Sequence, residues 1–538
     1  MPHNLGFNYH KRAKQKALMI IFFSAFLLIS CSGKEENDRE KRNVLRIGID
    51  SSIRSLDPQV GIDCPATHAI RMIFECLLRR GADGTAIVPG VAERYTLSED
   101  RCIYTFYLRS SYWSNGDPVT AHDFEWAWKR ALSPGSAQLG SFIFDVIKNA
   151  AAYRKGNAAP GQVGVRAVDD RILVVHLERP TPYFPALVCS TMYAPLHSCY
   201  RTSKKVISNG PFTVKKWKQG QLFVVERNPT YWDADSVILD EICLQVIPDP
   251  VAQFYLYEQG ELDYIGEPFS PLAIDVVKKS RFESAIARSP STTVSWIFIN
   301  TESFPLTHPK LRRALALALD RKILTQHLLE LGEVPTQRVL TIPGVSNARF
   351  TRCSESQAQA RRYFSAALAE LSLNREALPP IRLSHRSAPW ATRLMQAVQQ
   401  QWQDILGLRV ELESADWATH FSKVAQSNYQ LAEMRWVFWF DDPIHLLGSF
   451  GDKELAINVT RWDNREYREN LIAADWAQDQ VERNQWLLKA EAKLLDQMPV
   501  IPLYFAQLSY LKQSHVAGVT LSRCSEIDFK TAYLTHAP

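Results

Sequence analysis

Two hydrophobic periods alternate along the chain. Val44-Leu45-Arg46-Ile47-Gly48-Ile49 and Tyr104-Thr105-Phe106-Tyr107-Leu108 set apolar and polar residues at alternate positions, which predicts half-buried strands. Residues 172–177, 212–214 and 408–412 read the same way. Between such runs, residues 66–78 place Ile70, Ile73, Phe74 and Leu77 on one side of a helix. Further helices are predicted over 309–319, with Pro309 at the start, and over 356–371, 391–406, 467–478 and 481–497. Gly407 stands where a C-terminal cap belongs. Ser114-Asn115-Gly116-Asp117-Pro118 is turn chemistry. Behind it, Thr120 with Asp123 three positions on predicts a capping box at a helix start. Helices alternating with strands indicate an α/β fold. No internal repeat or low-complexity linker interrupts the pattern, so short ordered crossovers are expected between lobes.

The chain has 538 residues, more than the ~250–300 at which a single core stops growing, so two or three lobes are expected. Its first residues are not part of them. A basic cluster, Lys11-Arg12-Ala13-Lys14-Gln15-Lys16, precedes the apolar run 17–30 and then Cys31. That order reads as a secretory signal over 1–30, too short to reach the ~20 apolar residues of a comfortable membrane span. Leu28-Ile29-Ser30-Cys31 resembles the lipobox of bacterial lipoproteins, in which the cysteine is lipidated and becomes the new N-terminus. Residues 31–43 are polar and charged, as a tether should be. The net charge of +5 is thinly spread, which excludes a basic nucleic-acid face. Of nine cysteines, eight remain after Cys31, with no CxxC pair to suggest zinc. Cys189 and Cys199 are the nearest candidates for a bridge in an oxidising compartment.

Catalytic signatures are missing. The chain holds no GxSxG elbow, no HExxH, no GxxxxGK[ST] and no GxGxxG. His122-Asp123 has the look of a base and its orienter, but Asp123 is better explained as the capping partner of Thr120. Asp441-Asp442 could form an acid and base pair. No second carboxylate pair or metal-ligand set supports it, so a ligand-facing or loop-capping role is expected. No enzyme activity, metal or cofactor is expected.

Several ordered motifs carry a family resemblance. They begin with Ser55-Leu56-Asp57-Pro58, Phe74-Glu75-Cys76-Leu77-Leu78 and Trp113 to Phe124 (WSNGDPVTAHDF). Ser208-Asn209-Gly210-Pro211-Phe212, Glu226-Arg227-Asn228-Pro229-Thr230-Tyr231-Trp232, Gln259-Gly260-Glu261-Leu262-Asp263 and the run Leu311 to Arg321 (LRRALALALDR) follow in order. Together they resemble the peptide/nickel-binding family of bacterial extracellular solute-binding proteins, closest to its oligopeptide-binding members. The resemblance implies a two-lobed periplasmic-binding-protein clamshell with an additional middle α/β subdomain. On this chain it assigns 44–74, 198–292 and 523–538 to the first lobe, 75–197 to the middle subdomain and 293–522 to the second lobe. It also implies a monomer, held to the membrane by its lipid, that hands a short peptide to the permease of an ATP-driven importer. Other ligands in that class are cell-wall-derived peptides, nickel complexes and haem, and a surface adhesin or chaperone is the reading outside it. Most of the motifs are expected to make turns, caps and core contacts rather than touch ligand.

The ligand side of the resemblance falls on Met434 to Pro443. Trp436 and Pro443 match the family pattern, and Trp417 matches a tryptophan lining a side-chain pocket. Two positions depart from it. Trp439 stands where an aspartate for the peptide ammonium is expected, and Glu433 where some members have a carboxylate-binding arginine. Three readings of Trp439 follow. Asp441, on the same strand face, takes over as the ammonium anchor; or the ligand has no free ammonium there and Trp439 stacks on it; or Trp439 is core packing. His385, Arg386 and Arg435 are candidate partners for a ligand carboxylate, and Asp442 completes the set.

Overall fold

The computed structural model describes residues 43–535, apart from 62, 136–139, 202–205, 331, 342–352, 437–439 and 456. Cys31 and Trp439 therefore lie outside the described residues. Strand β1 (Val44–Ile49) leads to helix α1 (Cys64–Ile73). An excursion then builds its own antiparallel sheet from β2 (Ala92–Leu97), β3 (Ile103–Leu108), β4 (Val165–Ala167) and β5 (Ile172–His176), in the order β2-β3-β5-β4. Helix α2 (Ala121–Ala131) packs on β4 and β5. The chain returns through β6 (Phe212–Lys218), β7 (Leu222–Arg227), β8 (Glu241–Val246) and β9 (Tyr264–Gly266). It then enters the long β10 (Ala287–Ile299). Helices α3 (Pro309–Ala318) and α4 (Cys353–Glu370) precede β11 (Ile381–Arg386), α5 (Pro389–Leu406), β12 (Val410–Ala415), α6 (Trp417–Ala425) and β13 (Leu431–Trp436). The chain continues with α7 (Pro443–Leu447), α8 (Arg465–Trp476), α9 (Gln480–Gln497) and the long β14 (Val500–Lys512).

Among the described residues one large mixed sheet runs β12-β11-β13-β10-β14-β9-β1-β8-β7-β6. The antiparallel pair β10 and β14 ties its two halves together. Ala287–Pro290 pair with Gln507–Tyr510, then the register slips, and Val294–Phe298 pair with Val500–Phe505. Such a slip bends and twists a strand. On one side of the bend β14 pairs with β9; on the other β10 pairs with β13. This is the two-lobed clamshell, and the four-stranded sheet of 92–177 is its additional α/β unit.

Local signals behave as the sequence suggests. Gly407 closes α5 at φ +64°, a conformation that costs glycine least. Thr120 donates its backbone N–H to Asp123 Oδ2 at 2.8 Å, and the Trp113 indole donates to the same oxygen at 3.3 Å. Asp123→Ala is expected to lower unfolding free energy by ~1–2 kcal/mol, measured by denaturant titration, because it removes a cap and leaves a buried indole N–H unsatisfied.

Two expectations are corrected. Helix α1 stops at Ile73 instead of continuing to residue 78. Asn209 intercepts the chain there, accepting from Glu75 N at 3.0 Å and donating to Glu75 O at 3.0 Å. Gly210 donates to Ile73 O at 2.9 Å, so close that a Cβ on it would lie 2.5 Å from the Ile73 carbonyl carbon. Asn228 donates to Gly210 O at 2.9 Å and the Tyr231 hydroxyl to Glu75 Oε2 at 2.7 Å. Three separate sequence motifs thus lock to one another. The second correction concerns cysteines: Cys189 and Cys199 are both unbridged, as are the five others described. Cys189 is buried with its thiol on Pro185 O.

Candidate functional site

Strands β11, β12 and β13 are mutually parallel, so their carboxyl ends share one edge. Trp436, at the end of β13, pairs with Val294 beside the register slip. That edge therefore faces the bend, and across it lie the carboxyl ends of β1 and β9, also parallel to each other. A crevice outside the carboxyl ends of parallel strands is where open α/β sheets bind ligands. Here the two lobes bring two such edges together.

From the second lobe the edge presents Arg386, Trp417, Arg435 and Trp436. The Arg386 guanidinium lies 4.9 Å from both the Trp390 and Trp417 ring centroids. Behind it, Glu433 is fully buried and accepts from Arg386 Nε and Nη2 at 3.3 and 3.4 Å. The Arg435 guanidinium lies 5.3 Å from the centroid of the same Trp390 ring. One indole thus meets two guanidiniums, an arrangement favoured by cation–π attraction. Trp417 is 50% exposed at the first turn of α6, whose N-cap Asp416 accepts from Ala418 N and Thr419 N.

The opposite edge is acidic. Glu267 follows β9 and accepts from Ser509 N at 3.2 Å; Arg435 Nη1 reaches its Oε1 at 4.0 Å from the second lobe. Burial pushes the Glu267 carboxyl up despite Arg435. Burial also opposes the charge on Arg435, but Tyr504, Glu267, Glu333 and Glu433 outweigh it and hold the guanidinium above its ordinary range. Arg435 Nε is buried without a hydrogen-bond partner among the described residues. Asp50, just past β1, is raised by burial and accepts from Ser51 Oγ at 2.7 Å. The crevice is therefore basic and aromatic on one side and carboxylate-bearing on the other.

Comparison with known proteins gives the family and agrees with the fold. Residues 86–455 match the family model described as bacterial extracellular solute-binding proteins, family 5 Middle. The chain belongs to that family. It is 32% identical over 97% of its length to the oligopeptide-binding protein OppA of Bacillus subtilis, covering 99% of that protein. Among solved structures, the Escherichia coli murein tripeptide binding protein MppA superposes with a TM-score of 0.79 at 26% identity, with 92% and 99% of the two chains covered. Listeria monocytogenes OppA bound to peptide gives 0.76 at 26% identity, with 92% and 100% covered. Members of family 5 are substrate-binding proteins, and this chain is one, not an enzyme. No helix among its described residues is long and apolar enough to cross a membrane. No group of three or more His, Cys, Asp or Glu among them could hold a metal.

In this family member the sequence-predicted site residues separate into two groups. Arg386, Trp417, Arg435 and Trp436 converge on the crevice; Trp436 also packs at 5.9 Å on Trp296 and 5.8 Å on Phe298. Asp441 is half-buried and makes no ion pair with a described residue. Two others are corrected. His385 is 1% exposed, its Nδ1 on the Arg386 carbonyl at 2.9 Å, because its neighbours in β11 alternate the other way. Asp442 caps α7 through Ile444 N at 2.9 Å and takes a fork from Arg483 at 2.7 and 2.9 Å, so both its oxygens are engaged. Sequence reasoning missed Glu267, Asp50 and Trp390. Asp50 follows the predicted strand 44–49, which could have flagged it; no local signal marked Glu267 or Trp390.

Proposed function

We propose that this chain is the lipid-anchored receptor of an ATP-driven importer, enclosing short peptides between its lobes and handing them to a membrane permease. Its signal, residues 1–30, is removed and Cys31 is lipidated, leaving 31–43 as the tether outside the cytoplasm; it acts as a monomer. The first lobe comprises 44–74, 198–292 and the C-terminal segment, with 75–197 as the middle subdomain. The second lobe runs over 293–522, and within it Gln507–Tyr510 pair with Ala287–Pro290 of the first lobe.

The observation that carries the reading is the crevice of opposed polarity, Arg386 and Arg435 facing Glu267 and Asp50, with Trp390, Trp417 and Trp436 as walls. A short peptide has a charge at each end and an amide backbone between, and it satisfies both edges at once. Charges enclosed without partners cost several kcal/mol each, so fixed counter-charges select such a ligand. Closure around it follows from its preference for the closed form.

Asp441 is the proposed ammonium anchor. Asp441→Asn is expected to weaken binding of a peptide with a free amino terminus about tenfold, the worth of one charge-assisted hydrogen bond, while leaving its N-acetylated form unchanged. Calorimetric titration of both forms checks this. Equal affinities before and after the substitution remove Asp441 from the site, and tighter binding of the acetylated form points to N-blocked ligands stacked on Trp439. Mass spectrometry of molecules co-purifying with the protein tests the peptide reading itself.

A further inference from the structure

The sheet of 92–177 and its following loop reach across to the second lobe. The turn between β2 and β3 holds Arg101 at φ +58°, an uncommon conformation for a side chain with a Cβ. From there the guanidinium donates to Ala477 O at 2.7 Å and to Trp476 O at 3.0 Å, the carbonyls that end α8. A cation at a helix C-terminus meets both unsatisfied carbonyls and the negative end of the dipole. One residue earlier, Asp475 is 1% exposed and accepts from Arg179 Nε at 2.7 Å. Its other oxygen is buried without a hydrogen-bond partner among the described residues, which makes Arg179 its chief counter-charge. Next to these, Tyr183 stacks on Phe440 at 5.5 Å with the rings 12° from parallel.

Phe440 links this contact to the site. It directly precedes Asp441, the proposed ammonium anchor. Asp442 follows, forked by the same Arg483 whose guanidinium lies 5.8 Å over the Tyr183 ring. Partners here are far apart in sequence, 376 positions for Arg101 and Ala477. They meet only when the middle unit and the second lobe are together.

We infer that Arg101 and Arg179 are affinity-setting residues that never touch the ligand: with Asp475 and the end of α8 they form a clasp that holds the clamshell shut. The inference rests on the proposed peptide-capturing function, but the clasp has a readout that needs no peptide. Arg179→Glu and Asp475→Arg each place like charges in contact, and the double reversal restores an opposite pair. Arg101→Ala removes the helix-end contact alone.

X-ray scattering of the full-length mature protein without peptide is expected to give a larger radius of gyration for each single reversal, and a value near wild type for the double. With pooled tri- to pentapeptides bearing free termini, stopped-flow tryptophan fluorescence should show dissociation accelerated about 10- to 100-fold in the single variants. Dissociation in the double should be several-fold slower than in either single. Melting temperatures of all variants without peptide serve as the control for folding. Unchanged scattering in the single reversals overturns the clasp, as does a double reversal no closer to wild type than its parents. If the wild-type protein binds none of the pooled peptides, the peptide reading fails while the scattering still decides the clasp.

Discussion

Replacing Arg435 by methionine is expected to raise the dissociation constant for a short peptide with a free carboxyl terminus by roughly 100-fold or more. Methionine keeps the stem's packing against Trp390, so the loss isolates the guanidinium. Two consequences add. The ligand loses a cation that is 25% exposed at the edge of β13, whose Nε has no hydrogen-bond partner among the described residues and whose Nη1 only approaches Glu267. Glu267, the carboxylate that Arg435 Nη1 approaches, loses that counter-charge, and a carboxylate held away from water without it destabilises the fold. The same variant should therefore melt earlier than wild type. Arg435→Lys should recover part of the affinity but not all, because an ammonium is a point charge without the planar fork. Calorimetry with the free acid and the C-terminal amide separates the effects: only the free acid should distinguish wild type from Arg435→Met.

The second large effect is on stability against pH. His68 is 3% exposed in α1, edge-on to the Phe269 ring at 5.1 Å, and its Nε2 lies 3.3 Å from the Cys64 thiol. Burial, helped by the charge of Arg71, lowers its pKa to about 3. The Cys64 thiol beside it is raised by burial to about 12 and stays neutral. In the unfolded chain the imidazole titrates near 6.5. Between these values the unfolded state binds a proton that the folded state does not. Stability is therefore full above about pH 6.5 and falls as pH drops, by ~1.4 kcal/mol per unit, until the folded-state pKa is reached. From pH 6.5 to 4.5 this residue alone should remove about 3 kcal/mol. His68→Phe is expected to flatten that part of the profile and to raise the neutral-pH melting temperature, since Nδ1 is buried without a partner among the described residues. Denaturant titrations at half-unit pH steps give the slope, and parallel profiles for the two proteins would refute the assignment.

Much of the fold was legible. Period-two alternation located β1, β3 and β5, because a strand at a sheet surface must turn one face inward. The amphipathic run of α5 and its glycine stop were legible for the same local reason, as was the Thr120–Asp123 cap. The helix over 66–78 was overextended because what ends it is not local: Asn209 and Gly210 arrive from more than a hundred residues away and bond the backbone that another turn would have used.

The site divides on the same line. The family resemblance marked Trp417 and Trp436, and the forked guanidinium marked Arg386 and Arg435. His385 and Asp442 carry equally suggestive chemistry, but the fold engages both elsewhere. Side-chain direction removed the first from the crevice, and Arg483, 41 positions along the chain, occupied the second. The departure at Glu433 shows what tertiary structure adds. Read along the chain it replaces an expected cation with an anion. In the fold it is buried behind Arg386 from the neighbouring strand, so the edge still presents a guanidinium.

The sequence by itself determined the family, the α/β alternation and the caps, since each rests on periodicity, on contacts within a few residues or on ordered motifs. Only the tertiary structure decided which charges face one another across the bend, which aspartates are already engaged, and that Arg101 reaches the end of α8. Those pairings depend on how β10 and β14 shift register between lobes, and a shift of register is settled by packing on both faces of the sheet rather than by any local run of residues.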